Sequence, residues 1–482
     1  MAKFEELNVQ SMKRVFFVIS YWLIVIGSSG QTVNQKLQKA FTAFEKDSQL
    51  KHAISSLYVI DANTGQVVFD KNSQIGLAPA STQKIITSVT AFELLGKDYK
   101  YKTELGYDGK IENDILKGNL YISGSGDPTL GSWRYASTID TIILNKWVKS
   151  IRNLEIKKII GDIVGIDNKF ETQITPDGWI WQDIGNYYGA GVSGLNWHEN
   201  QYDMILKAGK HEGDSVEIIN TSPKVEYNYL INELKTGPKG SGDNAYIYLP
   251  PYAYNAFVRG TIPLGENSFT ISGSFAMPAH YPVGLLGNKL EKASIKISGS
   301  EPKTSIEYSA YQEKLSYPSK TLFTHYSPTL DSIIYWLNKK SINLYAEALL
   351  KTFAYEKNGF GSTDSGVVIV QNFWKEKGLD KDELGIVDGS GLSPLNRVTT
   401  HSQVEILKYA KTKDWFPYFY NSLPEYNAMS MKSGTIRGVK GFCGYHKAKN
   451  GKEYIFSFLV NNYNGSSSSL VNKMYKVLDI LK

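Results

Sequence analysis

The chain has 482 residues, of which 42% are hydrophobic and 21% charged, and this composition excludes an intrinsically disordered protein. The formal net charge is only +6 and Lys and Arg form no dense run, so nucleic-acid binding is not indicated. A weak attraction to an anionic polymer, or peripheral association with a membrane surface, is compatible with this charge.

Cysteine and histidine usage bounds the chemistry further. The single cysteine, Cys443, excludes an intramolecular disulfide and a Cys-based zinc site, and its strand-like surroundings favour packing in the core. The seven histidines contain no His-x-x-x-His pair. We therefore expect neither a metal nor a cofactor.

The N-terminus has the pattern of an export signal. Lys13 and Arg14 precede an apolar run over 15–26, which is followed by Gly27-Ser-Ser-Gly30. We predict a signal peptide region over 1–30 and export to the periplasm or cell envelope. Two alternatives stay open: translation that starts at Met12, and an uncleaved anchor, for which the apolar run is short.

The remaining elements, in chain order, suggest one sheet built from both ends of the chain. Helical periodicity is expected over 33–46, 79–96, 330–337, 344–353, 400–411 and 470–481. Strands are expected over 56–60, 66–69, 429–436, 441–446 and 454–460. The length indicates more than one domain. We expect an α/β (α+β) fold in which 31–97 and 305–482 form an antiparallel sheet flanked by helices. Short strands and turns over 98–304 predict a large β-rich insert.

The first candidate for chemistry is Ser81-Thr-Gln-Lys84. Pro79 precedes an apolar helical run, so Ser81 falls in its first turn and Lys84 lies beside it one turn later. A serine hydroxyl needs a base to become a nucleophile. Burial beside apolar residues lowers the pKa of a lysine, so that Lys84 can act as this base. Chance copies of the pattern, Ser48–Lys51 and Ser300–Lys303, lack this helical context.

Two further patterns complete a candidate site. Ser341-Ile342-Asn343 lies between two predicted helices, where the hydroxyl can relay a proton and the amide can bind a substrate backbone group; the alternative is an ordinary helix cap. Lys432-Ser433-Gly434-Thr435 lies on a predicted strand, with Lys432 and Gly434 on one face. Gly434 leaves room for a substrate along the strand. We reject the similar Lys235-Thr236-Gly237, because Pro238 follows it in what reads as a loop.

These patterns stand in the order Ser-x-x-Lys, Ser-x-Asn, Lys-Ser/Thr-Gly, which penicillin-binding proteins and serine β-lactamases share. Over roughly residues 50–482 the chain resembles the class C low-molecular-mass penicillin-binding proteins, the D-alanyl-D-alanine carboxypeptidase/endopeptidase (peptidase S13-type) family. The resemblance rests on 79–84, on Gly126-Asp-Pro-Thr-Leu130, on Asp388-Gly-Ser-Gly-Leu-Ser393 and on the long insert.

The resemblance implies a β-lactamase/transpeptidase-like domain interrupted by an insert, 98–304, of two nested subdomains. It also implies a serine DD-peptidase that hydrolyses D-Ala-D-Ala termini, D-Ala cross-links of peptidoglycan, or both. Its partners would be peptidoglycan muropeptides, with β-lactam antibiotics as inhibitors. The implied catalytic residues are the nucleophile Ser81, the base Lys84 and the proton relay Ser341. The implied substrate-binding residues are Asn343, Lys432, Ser433, Gly434 and Thr435, with an oxyanion hole from the N–H groups of Ser81 and Thr435.

Two departures from the family pattern are visible. Ser433 stands where the family commonly has Thr, which keeps the hydroxyl, and Ile342 stands where a polar residue is more typical. The loop 388–393 is expected to support the cleft and not to supply catalytic groups. A serine β-lactamase and a catalytically idle cell-wall-binding protein are the alternative functions.

Overall fold

The computed structural model describes residues 31–299 and 303–482. The predicted signal region 1–30 and Ser300 of one chance Ser-x-x-Lys copy lie outside the described residues. Within the described ranges, no helix has the length and apolarity needed to cross a membrane.

The helices are numbered in chain order. They are Val33–Glu45 (α1), Lys84–Leu95 (α2), Asp140–Arg152 (α3), Trp181–Ile184 (α4), His280–Lys292 (α5), Ser305–Ala310 (α6), Leu330–Lys339 (α7), Asn343–Asn358 (α8), Thr363–Glu376 (α9), Thr400–Lys411 (α10), Phe416–Ser422 (α11) and Ser467–Leu478 (α12).

The strands are numbered in the same way. The first eight are Ile54–Asp61 (β1), Val67–Lys71 (β2), Lys102–Tyr107 (β3), Lys110–Glu112 (β4), Ile115–Lys117 (β5), Leu120–Ser123 (β6), Lys158–Ile160 (β7) and Ile163–Ile166 (β8). The next eight are Gln201–Lys207 (β9), Glu217–Ser222 (β10), Tyr229–Gly237 (β11), Asn244–Tyr248 (β12), Asn255–Pro263 (β13), Phe269–Ser274 (β14), Lys296–Ile297 (β15) and Lys303–Thr304 (β16). The last seven are Lys320–Tyr326 (β17), Leu384–Gly385 (β18), Arg397–Val398 (β19), Glu425–Tyr426 (β20), Met429–Ile436 (β21), Val439–Lys447 (β22) and Glu453–Asn461 (β23).

A six-stranded sheet joins the two ends of the chain in the order β2-β1-β23-β22-β21-β20. Every neighbouring pair is antiparallel, and the register sets Leu57 of β1 opposite Phe458 of β23. The expected α/β fold with one antiparallel sheet flanked by helices is therefore confirmed. The sheet has one strand more than predicted, the short strand β20. A strand of two residues is too short to show a periodic pattern in the sequence, so it was not predicted.

Helices cover both faces of this sheet. On one face, α1 and α12 bury Phe41 and Met474 against Phe456 and Phe458. The other face carries the larger core, in which α2, α7, α8 and α10 bury residues at helical spacing. This second layer positions α2 and the junction between α7 and α8 against β21.

The region between α2 and α7 contains two further large hydrophobic cores, besides a small cluster around Tyr121 and Val164. The sheets β16-β8-β6-β3-β17 and β15-β7-β5-β4 surround the first core, which includes Trp147 and Leu286. The sheets β10-β9-β14 and β11-β13-β12 surround the second, which includes Met204 and Val258. The second group of strands lies within the sequence of the first, and the division of the insert into two nested subdomains stays a prediction.

The predicted C-terminal boundary of the insert, after residue 304, stays a prediction. The pairing of the strands favours a later boundary. Strand β17 pairs with β3, with Thr324 opposite Glu104, so the chain is still part of the insert's sheet after residue 305. We propose that the return to the first domain lies near residue 327 instead of 305.

One local expectation differs from the structure. Lys235-Thr236-Gly237 is not in a loop but ends β11, where Pro238 stops the strand, and it does not reach the cavity described below. Within the aromatic segment 179–190, Trp179 is buried, whereas Trp181 and Tyr187 are 44% and 54% exposed.

Candidate active site

Ser81 lies on a tight turn that leads into α2. The 3₁₀ turn Ala80–Gln83 follows Pro79, and the α-helix begins only at Lys84, where the sequence predicted an α-helix from Pro79 onward. In a 3₁₀ turn residues i and i+3 are stacked directly above one another. The Lys84 Nζ to Ser81 Oγ distance is accordingly 3.0 Å.

Lys84 has no exposed surface and is held by three oxygen atoms. Besides Ser81 Oγ, its Nζ donates to Asn343 Oδ1 at 2.6 Å and to the Ser390 carbonyl oxygen at 2.9 Å. Burial lowers the pKa of Lys84 to about 7, against the opposing effect of the carboxylates of Glu347 and Asp388. A large fraction of this amine is therefore neutral near pH 7 and able to accept a proton.

The junction between α7 and α8 presents Ser341 and Asn343 to the same point. Ser341 has a left-handed backbone (φ +58°), and its Oγ accepts from Lys432 Nζ at 2.9 Å. Asn343 begins α8 and donates through Nδ2 to the Tyr188 carbonyl oxygen of the insert at 2.7 Å. The insert thus fixes the amide so that its oxygen faces Lys84.

Strand β21 brings the Lys432 pattern against the Ser81 turn. A Cβ on Gly434 would lie 2.5 Å from the Pro79 carbonyl oxygen and 2.9 Å from Ser81 N, so only glycine permits this approach. Lys432 is buried, and burial together with the neighbouring Lys84 lowers its pKa well below the ordinary value.

The two hydroxyls of this pattern differ in their surroundings. Thr435 is exposed and lines the cavity, and its Oγ1 accepts from Lys440 Nζ at 2.7 Å. Ser433 is half-buried; its carbonyl accepts from Lys432 Nζ at 2.9 Å, but it is not among the residues that line the cavity. The structure therefore brings together all the predicted side chains except that of Ser433.

A cavity of about 1240 Å³ connects these groups with the insert. The part of the chain that builds the six-stranded sheet and its helices contributes Ser81, Ser341, Asn343 and Thr435. The predicted insert contributes Arg134, Asp183, Tyr188 and Tyr246. Burial raises the pKa of the Asp183 carboxyl to about 6. A substrate in this cavity would contact both parts of the molecule.

Two buried carboxylates that the motif analysis did not place in the site hold the loop 388–393. Glu347 accepts from the Gly389 and Ser390 N–H groups, each at 2.8 Å. Asp388 accepts from the Gly391 and Ser393 N–H groups, each at 2.7 Å. This agrees with the expected supporting role of the loop, and it aims the Ser390 carbonyl at Lys84. Glu347 could have been found from the sequence, because it lies one helical turn after Asn343 and so on the same face of the helix.

A second cluster connects the insert to the first turn of α8. Buried Glu199 accepts from Arg134 Nε at 2.8 Å and Nη2 at 3.1 Å, from Ser132 Oγ at 2.7 Å and from Tyr345 OH at 2.8 Å. Tyr345 lies two residues after Asn343. No pattern in the sequence connects these residues, so sequence reasoning missed the cluster.

The fold and the site together define a serine acyl-transfer enzyme, with a hydroxyl, an adjacent buried lysine of lowered pKa and a second serine–lysine pair around one cavity. The sequence matches the D-Ala-D-Ala carboxypeptidase 3 (S13) family over residues 37–479. The chain belongs to this family, and the prediction of a serine-type D-Ala-D-Ala carboxypeptidase is confirmed.

Individual relatives agree with this assignment. A D-alanyl-D-alanine carboxypeptidase of Actinomadura sp. (strain R39) is 26% identical over 456 residues, which are 89% of this chain and 82% of the relative. D-alanyl-D-alanine carboxypeptidase DacB of Haemophilus influenzae is 25% identical over 422 residues, covering 83% of this chain and 84% of the relative. The crystal structure of penicillin binding protein 4 (dacB) from Haemophilus influenzae superposes with a TM-score of 0.77 at 20% identity, covering 92% of this chain and 98% of that one. Because its sequence identity is low, this structural comparison shows only that the two chains share a fold.

Proposed function

We propose that this serine DD-peptidase cleaves the D-Ala-D-Ala bond of peptidoglycan peptides through an acyl-enzyme on Ser81. The observation that carries the proposal is the 3.0 Å contact between Ser81 Oγ and the buried Lys84, whose pKa burial lowers to about 7. In the first step the Ser81 hydroxyl proton passes to Lys84 Nζ while Oγ attacks the carbonyl carbon of the penultimate D-alanine.

The oxyanion and the leaving group need separate partners. The N–H groups of Ser81 and Thr435 would bind the oxyanion, since Gly434 lets β21 approach the Ser81 turn closely. Ser341 Oγ would protonate the departing amine and regain its proton from Lys432, whose Nζ lies 2.9 Å away. The C–N bond breaks, and the acyl group remains as an ester on Ser81.

The second step reverses the proton path. Before it begins, the proton that Lys84 gained in acylation replaces the one that Lys432 lost, so both amines return to their starting states. Lys84 then takes a proton from the attacking water as the water oxygen bonds to the ester carbon, and it passes that proton to Ser81 Oγ as the ester C–O bond breaks. Asn343 would hold the substrate backbone, and Lys432 and Thr435 would favour the terminal carboxylate, whereas Ser433 does not line the cavity. A negative substrate in the cavity would itself favour the charged form of Lys432.

A β-lactam would acylate Ser81 by the same route, and its opened ring keeps the leaving nitrogen in place. A structural relative, penicillin binding protein 4 from Haemophilus influenzae, has been crystallised with a β-lactam, with a TM-score of 0.71 and 20% identity to this chain. The peptidoglycan substrate also requires the enzyme to act outside the cytoplasm, which is consistent with the apolar run after Lys13 and Arg14 and favours the periplasm or cell envelope.

The test is product analysis on defined muropeptides. Wild type, Ser81→Ala and Ser88→Ala are incubated with a pentapeptide muropeptide and with a D-Ala cross-linked dimer, and products are followed by mass spectrometry. Ser88 is a matched control, because it lies on α2 and its hydroxyl contacts Asn338. We expect release of D-alanine from the pentapeptide with wild type and Ser88→Ala only. Cleavage of the dimer decides whether endopeptidase activity accompanies carboxypeptidase activity.

Wild type that leaves both muropeptides intact would contradict the proposal and favour an idle wall-binding protein. Release by Ser81→Ala at the wild-type rate would remove Ser81 from the reaction.

A further inference from the structure

The insert carries a set of exposed apolar and aromatic side chains on the outer side of the sheet β11-β13-β12. Its inner side packs on the second core of the insert through Leu234, Val258 and Ile247. Residues alternate across a sheet, so the neighbours of these residues point outward. The outward residues form what we call the aromatic face, which consists of Trp181, Tyr229, Ile231, Tyr246, Tyr248 and Phe257.

The strand register makes this face continuous. Ile231, Phe257 and Tyr248 lie opposite one another on three adjacent strands. The Tyr248 and Phe257 rings stack with centroids 4.5 Å apart, and Trp181 stands 5.7 Å from Tyr248 and 6.5 Å from Phe257. Ile231 and Trp181 are 51% and 44% exposed. The Trp181 ring, and Tyr229 at 56% exposure, thus remain in contact with solvent, while Tyr248 and Phe257 are half-buried in the sheet face.

The face leads into the active-site cavity. Tyr246, on the strand that carries Tyr248, lines the cavity together with Gln182, the residue next to Trp181. Helix α4 is fixed over β12, since Asn186 accepts from the Ile247 N–H at 3.1 Å and a Cβ on Gly185 would overlap the Ile247 carbonyl. A polymer with one unit in the cavity can therefore extend over the aromatic face.

We propose that the aromatic face binds the glycan strand of peptidoglycan while its peptide enters the cavity, an inference that rests on the proposed function. A pyranose ring has an apolar C–H face that stacks on aromatic rings and a rim of hydroxyls that needs hydrogen bonds. The next row across the sheet supplies such groups, with Glu233 opposite Arg259 and their side chains 3.9 Å apart. This alternation of rings and paired charges matches a neutral sugar chain.

The test separates binding of sugar from cleavage of peptide. Binding of peptide-free glycan oligosaccharides is measured by calorimetry for the full chain carrying Trp181→Ala or Ile231→Ala. Tyr311→Ala is the matched control, because Tyr311 is a 69% exposed aromatic residue outside the face. For each variant, the rate of D-alanine release is measured on intact peptidoglycan and on a soluble sugar-free pentapeptide. The ratio of the two rates reports the contribution of the glycan strand. Ile231→Ala removes only an exposed side chain, so it answers the question if Trp181→Ala does not fold.

We expect roughly tenfold weaker glycan binding for Trp181→Ala, a smaller loss for Ile231→Ala, and no change for Tyr311→Ala. The ratio of polymer to peptide activity should fall in the same order. Wild type that does not bind peptide-free glycan, or variants that bind as wild type does, would overturn the proposal. If sedimentation equilibrium shows that the wild type is a dimer and that Ile231→Ala is a monomer, the face binds a second copy of the chain, and the proposal is overturned. Failure of the proposed function would instead appear as no release from the sugar-free peptide.

Discussion

At the scale of single residues, Lys84 derives its reactivity from burial. An exposed lysine is charged at neutral pH and cannot take a proton from serine. Lys84 has no exposed surface, and its three oxygen contacts hold the amine beside Ser81 Oγ. The carboxylates of Glu347 and Asp388 oppose the effect of burial, so the pKa stays at about 7.

The first prediction concerns the pH dependence of acylation. Lys84 must be neutral to act as the base, so the rate of penicillin acylation should fall about tenfold per pH unit below the pKa of about 7 and level off above it. Stopped-flow measurement of acylation across this range provides the check. Lys84→Ala serves as the control and should show only residual acylation. A wild-type rate that is independent of pH through this range would contradict the assignment of Lys84 as base.

At the scale of elements, hydrogen bonds from backbone N–H groups to the carboxylates of Asp388 and Glu347 hold the loop 388–393 in place. Asp388 is fully buried and accepts from backbone N–H groups of its own loop, from Asn396 Nδ2 at 2.9 Å and from Trp179 Nε1 at 3.0 Å. The Trp179 contact comes from the insert. Asp388 is therefore, with Glu347, one of the two side chains that hold the loop aiming the Ser390 carbonyl at Lys84, and its own partners are all donors.

The second prediction is that Asp388→Asn lowers the free energy of unfolding by about 2–4 kcal/mol, because the new amide donor faces other donors. Urea unfolding measures this loss, and the acylation rate should fall as well, since the Ser390 carbonyl shifts. Asp382→Asn, at an exposed position in a neighbouring turn, should change stability by less than about 0.5 kcal/mol. Equal effects of the two substitutions would contradict the account of the loop.

At the scale of the whole molecule, buried ionic contacts join the insert to α8. Lys351 is buried and lies 3.2 Å from Glu171 of the insert, and Glu199 joins Arg134 to Tyr345. Both sets of contacts hold α8, whose first residue is Asn343. The insert therefore contributes to the position of the catalytic helix as well as to the wall of the cavity.

The third prediction is that Glu199→Gln lowers stability by about 3–5 kcal/mol, since it leaves the Arg134 charge without its partner. Chemical unfolding gives the stability, and penicillin acylation reports any displacement of Asn343. Glu112→Gln breaks the exposed pair with Lys117 and should cost less than about 1 kcal/mol. Stability of Glu199→Gln within the range of this control would show that the cluster does not join the two parts.

The sequence predicted elements with strong periodicity well, and contacts distant in sequence poorly. Helix α10 and strand β21 have the predicted bounds, because apolar spacing and turn residues mark both ends. The three motifs predicted the residues around Ser81, since each carries its own local chemistry. Glu199 and the Tyr188 carbonyl could not be predicted, because their roles depend on partners more than one hundred residues away. The pairing of β17 with β3 was missed for the same reason.

Intact-protein mass spectrometry after incubation with penicillin tests the central claim most directly. The account predicts one covalent adduct per chain on the wild type and on Ser88→Ala, and none on Ser81→Ala. An adduct on Ser81→Ala, or intact penicillin beside unmodified wild type, would contradict it. Penicillin consumed without a lasting adduct would also contradict it and would favour the β-lactamase alternative.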